Sequence, residues 1–397
     1  MNEEKKKVFF FVDSLSGGGA ERVVSVLGNS FAEQYGHDVS IVMLRKKRPV
    51  YSISNKVRLI YADDLPIPSI WSKFIRKGFV LYKFFRQGLF KHLMIKLGRY
   101  DKVAQYDETS FYYYAKFAMP YRDLLKQNKV DVAFGFLIRS NITMIMAAKK
   151  TNTKAVFCER NNPVRPDVSP YIIKIRDNLY KHCDAAVFQT EEEMAYYTKI
   201  KGEKAVIPNP IKEDLPERFI GTRRHEIVDF CRLSAQKNIH LLIDAFEMLL
   251  QDHPDYTLRI YGEGPEKDIL KAYIKEKHLE GKAFIEDFAK DIHERIKDAA
   301  MYVSTSDFEG LSNSMLEAMA IGLPTVCTDC DGGGARMMIE DHVNGLLVPK
   351  GDKQAVYHAM KEIVEDEALS DRLSENAEKI KIKLSVDNIV KEWIKMI

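Results

Sequence analysis

Between Phe308 and Pro324 the chain reads Phe-Glu-Gly-Leu-Ser-Asn-Ser-Met-Leu-Glu-Ala-Met-Ala-Ile-Gly-Leu-Pro, which sets Glu309 and Glu317 with seven residues between them. An acidic residue, a glycine turn and then hydroxyl and amide residues run straight into an apolar helix. Backbone N–H groups around Gly310, Leu311, Ser312 and Asn313 then lack intrahelical acceptors, which makes the helix start an anion site. Glu309 precedes this helix and Glu317 lies inside it, so the two carboxylates can hold two hydroxyl-bearing parts of one ligand. The same residues also fit an ordinary capped helix with two surface glutamates.

Three further stretches have chemical potential. Val228-Asp229-Phe230-Cys231-Arg232-Leu233-Ser234-Ala235-Gln236-Lys237 places two cations five positions apart at a strand end and its loop. A planar guanidinium and a point-charge ammonium there can converge on one diphosphate. Tyr261-Gly262-Glu263-Gly264-Pro265 is a turn signal after another strand. Near the start, Ser16-Gly17-Gly18-Gly19-Ala20-Glu21-Arg22 follows a strand and opens a helix. Its glycines let backbone N–H groups approach a phosphate or an incoming hydroxyl. The spacing is neither the dinucleotide fingerprint nor a nucleoside-triphosphate P-loop, and it also fits a plain strand-to-helix turn.

The elements that must position these residues follow from bulk and pattern. At 397 residues the chain exceeds one comfortable core, and its 46% apolar and 29% charged composition is that of a globular protein. Strand-like runs at 7–13, 38–44, 131–136, 153–158, 184–189 and 204–207 alternate with helical patterns. The alternation resumes at 226–231, 256–261, 282–286, 299–304, 324–327 and 345–348. It predicts an α/β protein with parallel sheets covered on both faces. Pro208-Asn209-Pro210 removes two donors and fixes two φ angles, so the boundary is set there: a first domain over 1–208 and a second over 209–384. Five cysteines, an odd number, suit a reducing cytosol, and Cys327-Thr-Asp-Cys330 has no second ligand pair for a metal. No run reaches the roughly 18 apolar residues that span a bilayer. Val8-Phe9-Phe10-Phe11-Val12 is too short for a signal peptide and reads as a buried first strand.

In this order along the chain, the glycine loop, Arg232 with Lys237, the Gly-x-Gly-Pro turn and the paired glutamates resemble the signature of retaining glycosyltransferases of the family-4 group. Those enzymes have two Rossmann-like domains facing across a cleft, the GT-B fold, and their last helix often crosses back to the first domain. Val386, Ile389, Trp393 and Ile397, at helical spacing within 385–397, suit that crossing. The resemblance implies a nucleotide-sugar donor, a uridine diphosphate sugar by family frequency, and retention of anomeric configuration. It assigns Glu309 to the donor sugar, Glu317 to the ribose, Gly262 and Gly264 to the base side, and Gly18 and Gly19 to the donor loop. Cys231 stands where the family usually carries glycine, which puts the approach to the phosphate in question. A departing nucleoside diphosphate gathers negative charge, which Arg232, Lys237 and the helix start at Gly310 to Asn313 can stabilise without a metal. Asp329-Cys-Asp331 is the nearest approach to an Asp-x-Asp pair, and no metal cofactor is expected.

Two segments address the acceptor. Cys158-Glu159-Arg160-Asn161-Asn162-Pro163, followed by Arg165, resembles the Glu-x-Asn-x-Pro stretch of transferases that extend lipid-diphosphate-linked glycans. That likeness places Glu159, Arg160, Asn161, Asn162 and Arg165 toward the acceptor, although a capped, proline-terminated loop explains the residues equally well. Residues 65–100 carry eight Lys or Arg, no Asp or Glu, and aromatic and aliphatic residues at helical spacing. Such a segment suits an anionic membrane surface, or a helix packed on the first domain with solvated lysines. Nucleic acid is the less economical partner. The expectation is a cytoplasmic enzyme, peripheral on the inner face of the plasma membrane, that glycosylates a lipid-linked glycan. A transferase with a soluble product, and a non-catalytic nucleotide-sugar or membrane adaptor, are the competing readings.

Overall fold

The computed structural model describes residues 4–66, 108–164, 168 and 170–397. Most of the basic segment at 65–100, and Arg165, lie outside the described residues. The chain divides into two compact units. One comprises Met1–Phe188, Glu193–Ile207 and Val390–Ile397, and the other Gln189–Glu192 and Pro208–Ile389.

The first unit is built on seven parallel strands: β1 (Lys7–Val12), β2 (Asp38–Met43), β3 (Arg58–Tyr61), β4 (Val132–Phe136), β5 (Lys154–Cys158), β6 (Ala185–Phe188) and β7 (Glu203–Val206). Their order is β3-β2-β1-β4-β5-β6-β7. The second unit has β8 (Arg224–Phe230), β9 (Thr257–Tyr261), β10 (Ala283–Glu286), β11 (Ala299–Ser304), β12 (Thr325–Asp329) and β13 (Leu346–Pro349), again all parallel. Its order, β10-β9-β8-β11-β12-β13, repeats the winding of the first sheet strand for strand up to the sixth. Both are Rossmann-like sheets. In each, winding reverses once: between β1 and β4, and between β8 and β11. Ligands bind such sheets beyond the carboxyl ends of the strands at that reversal.

The strand sequences explain the arrangement. β1 is apolar and aromatic without alternation because both its faces are covered, and Val8 to Val12 are buried. β11 is buried over its whole length. β3 escapes a reading by pattern because it is a four-residue edge strand with no fully buried residue. Helix Glu108–Asn128 also lacks a strong amphipathic signal and contains Pro120.

Val390–Ile397 belongs to the first unit by its contacts, and Trp393 is the reason. Its indole is fully buried, stacked on Phe136 at 5.6 Å and edge-on to Phe134 at 5.6 Å. The Arg160 guanidinium lies 4.9 Å from the same indole and 5.4 Å from Phe136. A residue near the chain terminus therefore closes the core beside β4. Trp393→Ala is expected to cost the first unit about 3–5 kcal/mol. Hydrogen exchange is the measurement, and amide protection in β1 and β4 should fall while β8 and β11 keep theirs.

Candidate active site

At the reversal of the second sheet, the loop after β8 supplies Lys237 and the loop after β11 supplies Glu309. The Lys237 ammonium and the Glu309 carboxylate form an ion pair with little exposure. Ser306 Oγ also donates to the carboxylate, at 3.3 Å. Glu309 is fixed by its own N–H, which donates to Asp331 O at 2.9 Å. Lys237 ends a short 3-10 turn, Ala235–Lys237, and the next residue, Asn238, has left-handed backbone (φ 44°). Asparagine tolerates that conformation, and here Asn238 Nδ2 donates to Asp307 Oδ1 at 2.9 Å, joining the two loops. Burial opposes the Lys237 charge, but Glu309, and behind it Asp229, outweigh burial and raise the ammonium above its ordinary range.

Asp229, near the end of β8, is buried, and burial pushes its carboxyl up to about 6 despite the field of Lys237. The Cys231 thiol donates to Asp229 Oδ2 at 3.3 Å. This gives the residue that departs from the family pattern a physical role, since glycine would supply no such donor. Arg232 is exposed and makes no ion pair among the described residues, so its guanidinium is open to an anion. Gly262 and Gly264 are required by packing: a Cβ on the first would lie 1.9 Å from Cys231 O, and one on the second 2.0 Å from Leu233 O. Their immediate work is to let the β9 loop press against the loop that carries Arg232. Contact with a base is an expectation beyond that.

The helix after Glu309 is Asn313–Ala320, and Ser312 Oγ caps it by accepting from Met315 N at 3.4 Å. Gly310 and Leu311 are buried ahead of the cap. Asn313 Oδ1 accepts from Asn209 Nδ2 at 2.9 Å, so the residue between the two boundary prolines is tied to the helix start. Glu317 is held by His293, whose Nε2 lies 2.9 Å from Glu317 Oε2 and whose ring meets Phe230 edge-on. Nothing in the sequence around His293 signalled this partnership, because 24 residues separate the pair.

Two expectations for the first unit need correction. Two of the three glycine N–H groups of the loop, those of Gly17 and Gly18, are engaged from within the protein. Gly17 N–H donates to Glu21 Oε2 at 2.6 Å, and Gly18 N–H to Tyr51 Oη at 3.1 Å. Neither of these two stands free for a phosphate, while Gly19 opens helix Gly19–Glu33. Arg160 does not face outward. It lies under Trp393 and donates to Ile207 O at 3.1 Å, which makes it a core cation. Glu159 is likewise engaged, with Oε2 accepting from the Tyr197 hydroxyl at 2.6 Å. Asn161 and Asn162 spend their carbonyl oxygens on local turns, accepting from Asn162 N and Val164 N, each at 2.9 Å. They nevertheless line a recess together with Glu159.

Residues 211–380 match the family model for glycosyl transferases group 1. The second unit is a group 1 glycosyltransferase domain. Along nearly its whole length the chain is 27% identical to an N-acetylgalactosaminyltransferase of Campylobacter jejuni that acts on N-acetylgalactosamine-N,N'-diacetylbacillosaminyl-diphospho-undecaprenol, with 92% of each chain covered. It is 28% identical over 215 residues to the poly(glycerol-phosphate) alpha-glucosyltransferase of Bacillus subtilis, a match that spans only 32% of that protein. Among solved structures, TarM superposes with a TM-score of 0.75 at 17% identity, covering 100% of this chain and 99% of that one. An Anabaena HepE structure with UDP and glucose gives 0.71 at 17%, covering 98% and 99%. These likenesses establish the GT-B fold, and with the family match they make the chain a glycosyltransferase.

The buried Asp229 carboxyl has a measurable consequence. Its proton is bound more tightly in the folded than in the unfolded chain. That contribution to stability is full below the ordinary value of 3.8 and is lost as pH rises through about 6. The difference corresponds to roughly 3 kcal/mol. Asp229→Asn should flatten the fall between those pH values and leave the second unit more stable at pH 7, as read from urea midpoints across pH.

Proposed function

We propose that the chain transfers a sugar from a nucleoside diphosphate sugar, a UDP-sugar in the first instance, to a lipid-diphosphate-linked glycan in bacterial surface polysaccharide synthesis. Transfer retains anomeric configuration and needs no metal. The observation that carries the reading is the Lys237–Glu309 pair at the reversal of the second sheet, with exposed Arg232 in the same loop as Lys237. A diphosphate offers Lys237 a more highly charged partner than one carboxylate. As the ammonium turns to phosphate, Glu309 is released to accept hydrogen bonds from sugar hydroxyls. Arg232, the helix start at Ser312 and Asn313, and Lys237 then face the charge that grows on the leaving diphosphate. Glu317, oriented by His293, is placed in its helix to take ribose hydroxyls.

A lipid-linked acceptor is favoured because the full-length Campylobacter relative acts on an undecaprenol diphosphate glycan. A second Campylobacter relative, 22% identical over 98% of both chains, is named for a longer glycan on the same carrier. The basic, aromatic segment at 65–100 would hold such a substrate's membrane surface, and no described helix is long and apolar enough to cross a membrane itself. On this reading the work is done at the inner face of the plasma membrane.

Glu309→Gln and Lys237→Ala should each lower turnover by about a hundredfold or more, as loss of a preorganised charge does. The assay pairs UDP-N-acetylhexosamines and UDP-hexoses with a polyprenyl-diphosphate disaccharide, and wild-type rates in either variant would remove the proposed donor site. Rates should also survive EDTA. A loss reversed by added magnesium or manganese would overturn metal independence.

A further inference from the structure

The amino-terminal edge of the first sheet has a second recess, about 770 Å³ in volume, which the proposed transfer does not use. It opens where helix Leu137–Ala148 ends and β5 begins, with Lys149 to Ala155 forming one wall. β5 is five residues long, so this recess lies roughly 15 Å along the strand from Glu159 and the crevice at the carboxyl ends.

Four Lys or Arg line it, Arg122, Lys149, Lys150 and Lys154, against one carboxylate, Asp184. Asp184 is committed to the backbone, with Oδ2 accepting from Ala155 N at 2.7 Å. Arg122 is committed as well, donating to Met146 O at 2.8 Å and to Ala147 O at 3.3 Å. Thr151 Oγ1 donates to Ala148 O at 2.6 Å. The carbonyls that end the helix are thereby occupied, which offsets the negative end of its dipole. Lys154 reaches Glu203 at 3.5 Å. Lys149 and Lys150 are exposed and make no ion pair or side-chain hydrogen bond among the described residues. The floor beneath them is apolar: Ile145, Ala148 and Ala155 are buried, and Met146 and Leu179 half-buried.

These features select a ligand. Four cations against one committed carboxylate call for an anion. The two cations without partners are lysines, point charges that suit a tetrahedral phosphate. The planar fork that suits a carboxylate belongs to Arg122 and is occupied by the helix end. The floor calls for an apolar portion, and the volume exceeds what bare phosphate fills. A lipid headgroup meets the charge requirement. On the proposed function, however, a bilayer against this edge would leave the crevice at the other end of the strands facing away from a lipid-linked substrate. We propose that this recess binds a soluble phosphate monoester with an apolar body, at a site separate from donor and acceptor.

The test is calorimetry on the full chain with n-hexyl phosphate, inorganic phosphate and hexanol, and hydrogen exchange locates the bound probe. Hexyl phosphate should bind saturably, about tenfold or more tighter than inorganic phosphate or hexanol, and should slow amide exchange over 145–155. Lys149→Gln combined with Lys150→Gln should weaken it by a similar factor, whereas Lys237→Ala at the donor site should leave it unchanged. Lys150 has left-handed backbone (φ 69°), where glycine sits without strain. Lys150→Gly should therefore weaken the probe while keeping the thermal midpoint at or above that of wild type, which separates binding from folding. Hexyl phosphate that does not saturate, or that binds the lysine variants as it binds wild type, overturns the inference. Equal affinity for inorganic phosphate overturns the ligand class. Vesicles of phosphatidylglycerol in phosphatidylcholine form the last arm. If these bind through Lys149 and Lys150 and hexyl phosphate does not, the face meets a membrane and the soluble ligand is overturned.

Discussion

The second unit is organised around one ion pair shielded from water, Lys237 with Glu309. Such a pair is a poor source of stability, because desolvating two charges offsets most of their attraction. Its surroundings nevertheless invest in keeping it in place. Asn238 takes a left-handed backbone to bring the β8 loop to the β11 loop, and Ser306 donates to the same carboxylate. Gly332 lets a third loop lie against Glu309, since a Cβ there would come within 1.7 Å of the Glu309 carbonyl oxygen. An ammonium pinned between Glu309 and the field of Asp229 is a preorganised anion receptor whose present partner is its own neighbour. Catalysis by positioned charge calls for groups that are already fixed when the substrate arrives.

The repeated topology explains why one chain has two places for chemistry. Each sheet reverses its winding once, so each has one crevice beyond its strand ends, and the loops after β1 and β4 correspond to those after β8 and β11. The fillings differ in charge. The second unit's loops carry Arg232 and Lys237 against carboxylates, which suits a diphosphate. The first unit's recess sets Asp13 and Glu159 beside Arg139 and Arg176. In the glycine loop after β1, Glu21 and Tyr51 already take the N–H groups of Gly17 and Gly18.

Much of this was legible in the residues themselves. Runs such as Val8 to Val12 mark strands buried on both faces, and the turn residues after them mark where the sheets can bind. Arg232, Lys237, Glu309 and Glu317 could be singled out because each stands beside a strand end or a helix start, where local rules are strong. The edge strand β3 was not legible, since four half-exposed residues carry no period. Local rules also pointed Arg160 outward, when long-range partners turn it inward.

Sequence by itself determined the alternation of strands and helices, the two-part organisation and the charged residues near each strand end, because these depend on neighbours a few positions away. Tertiary structure alone decided the partners. Lys237 meets Glu309 across 72 residues, and His293 orients Glu317 across 24. Cys231 supplies the hydrogen bond its position needs only because Asp229 is buried beside it. Trp393 covers Arg160 from the far end of the chain, and the guanidinium groups of Arg45 and Arg139 stop 3.9 Å short of Asp13. Whether a charge is paired, buried or open depends on which distant segments the sheet order brings together, and no local pattern encodes that.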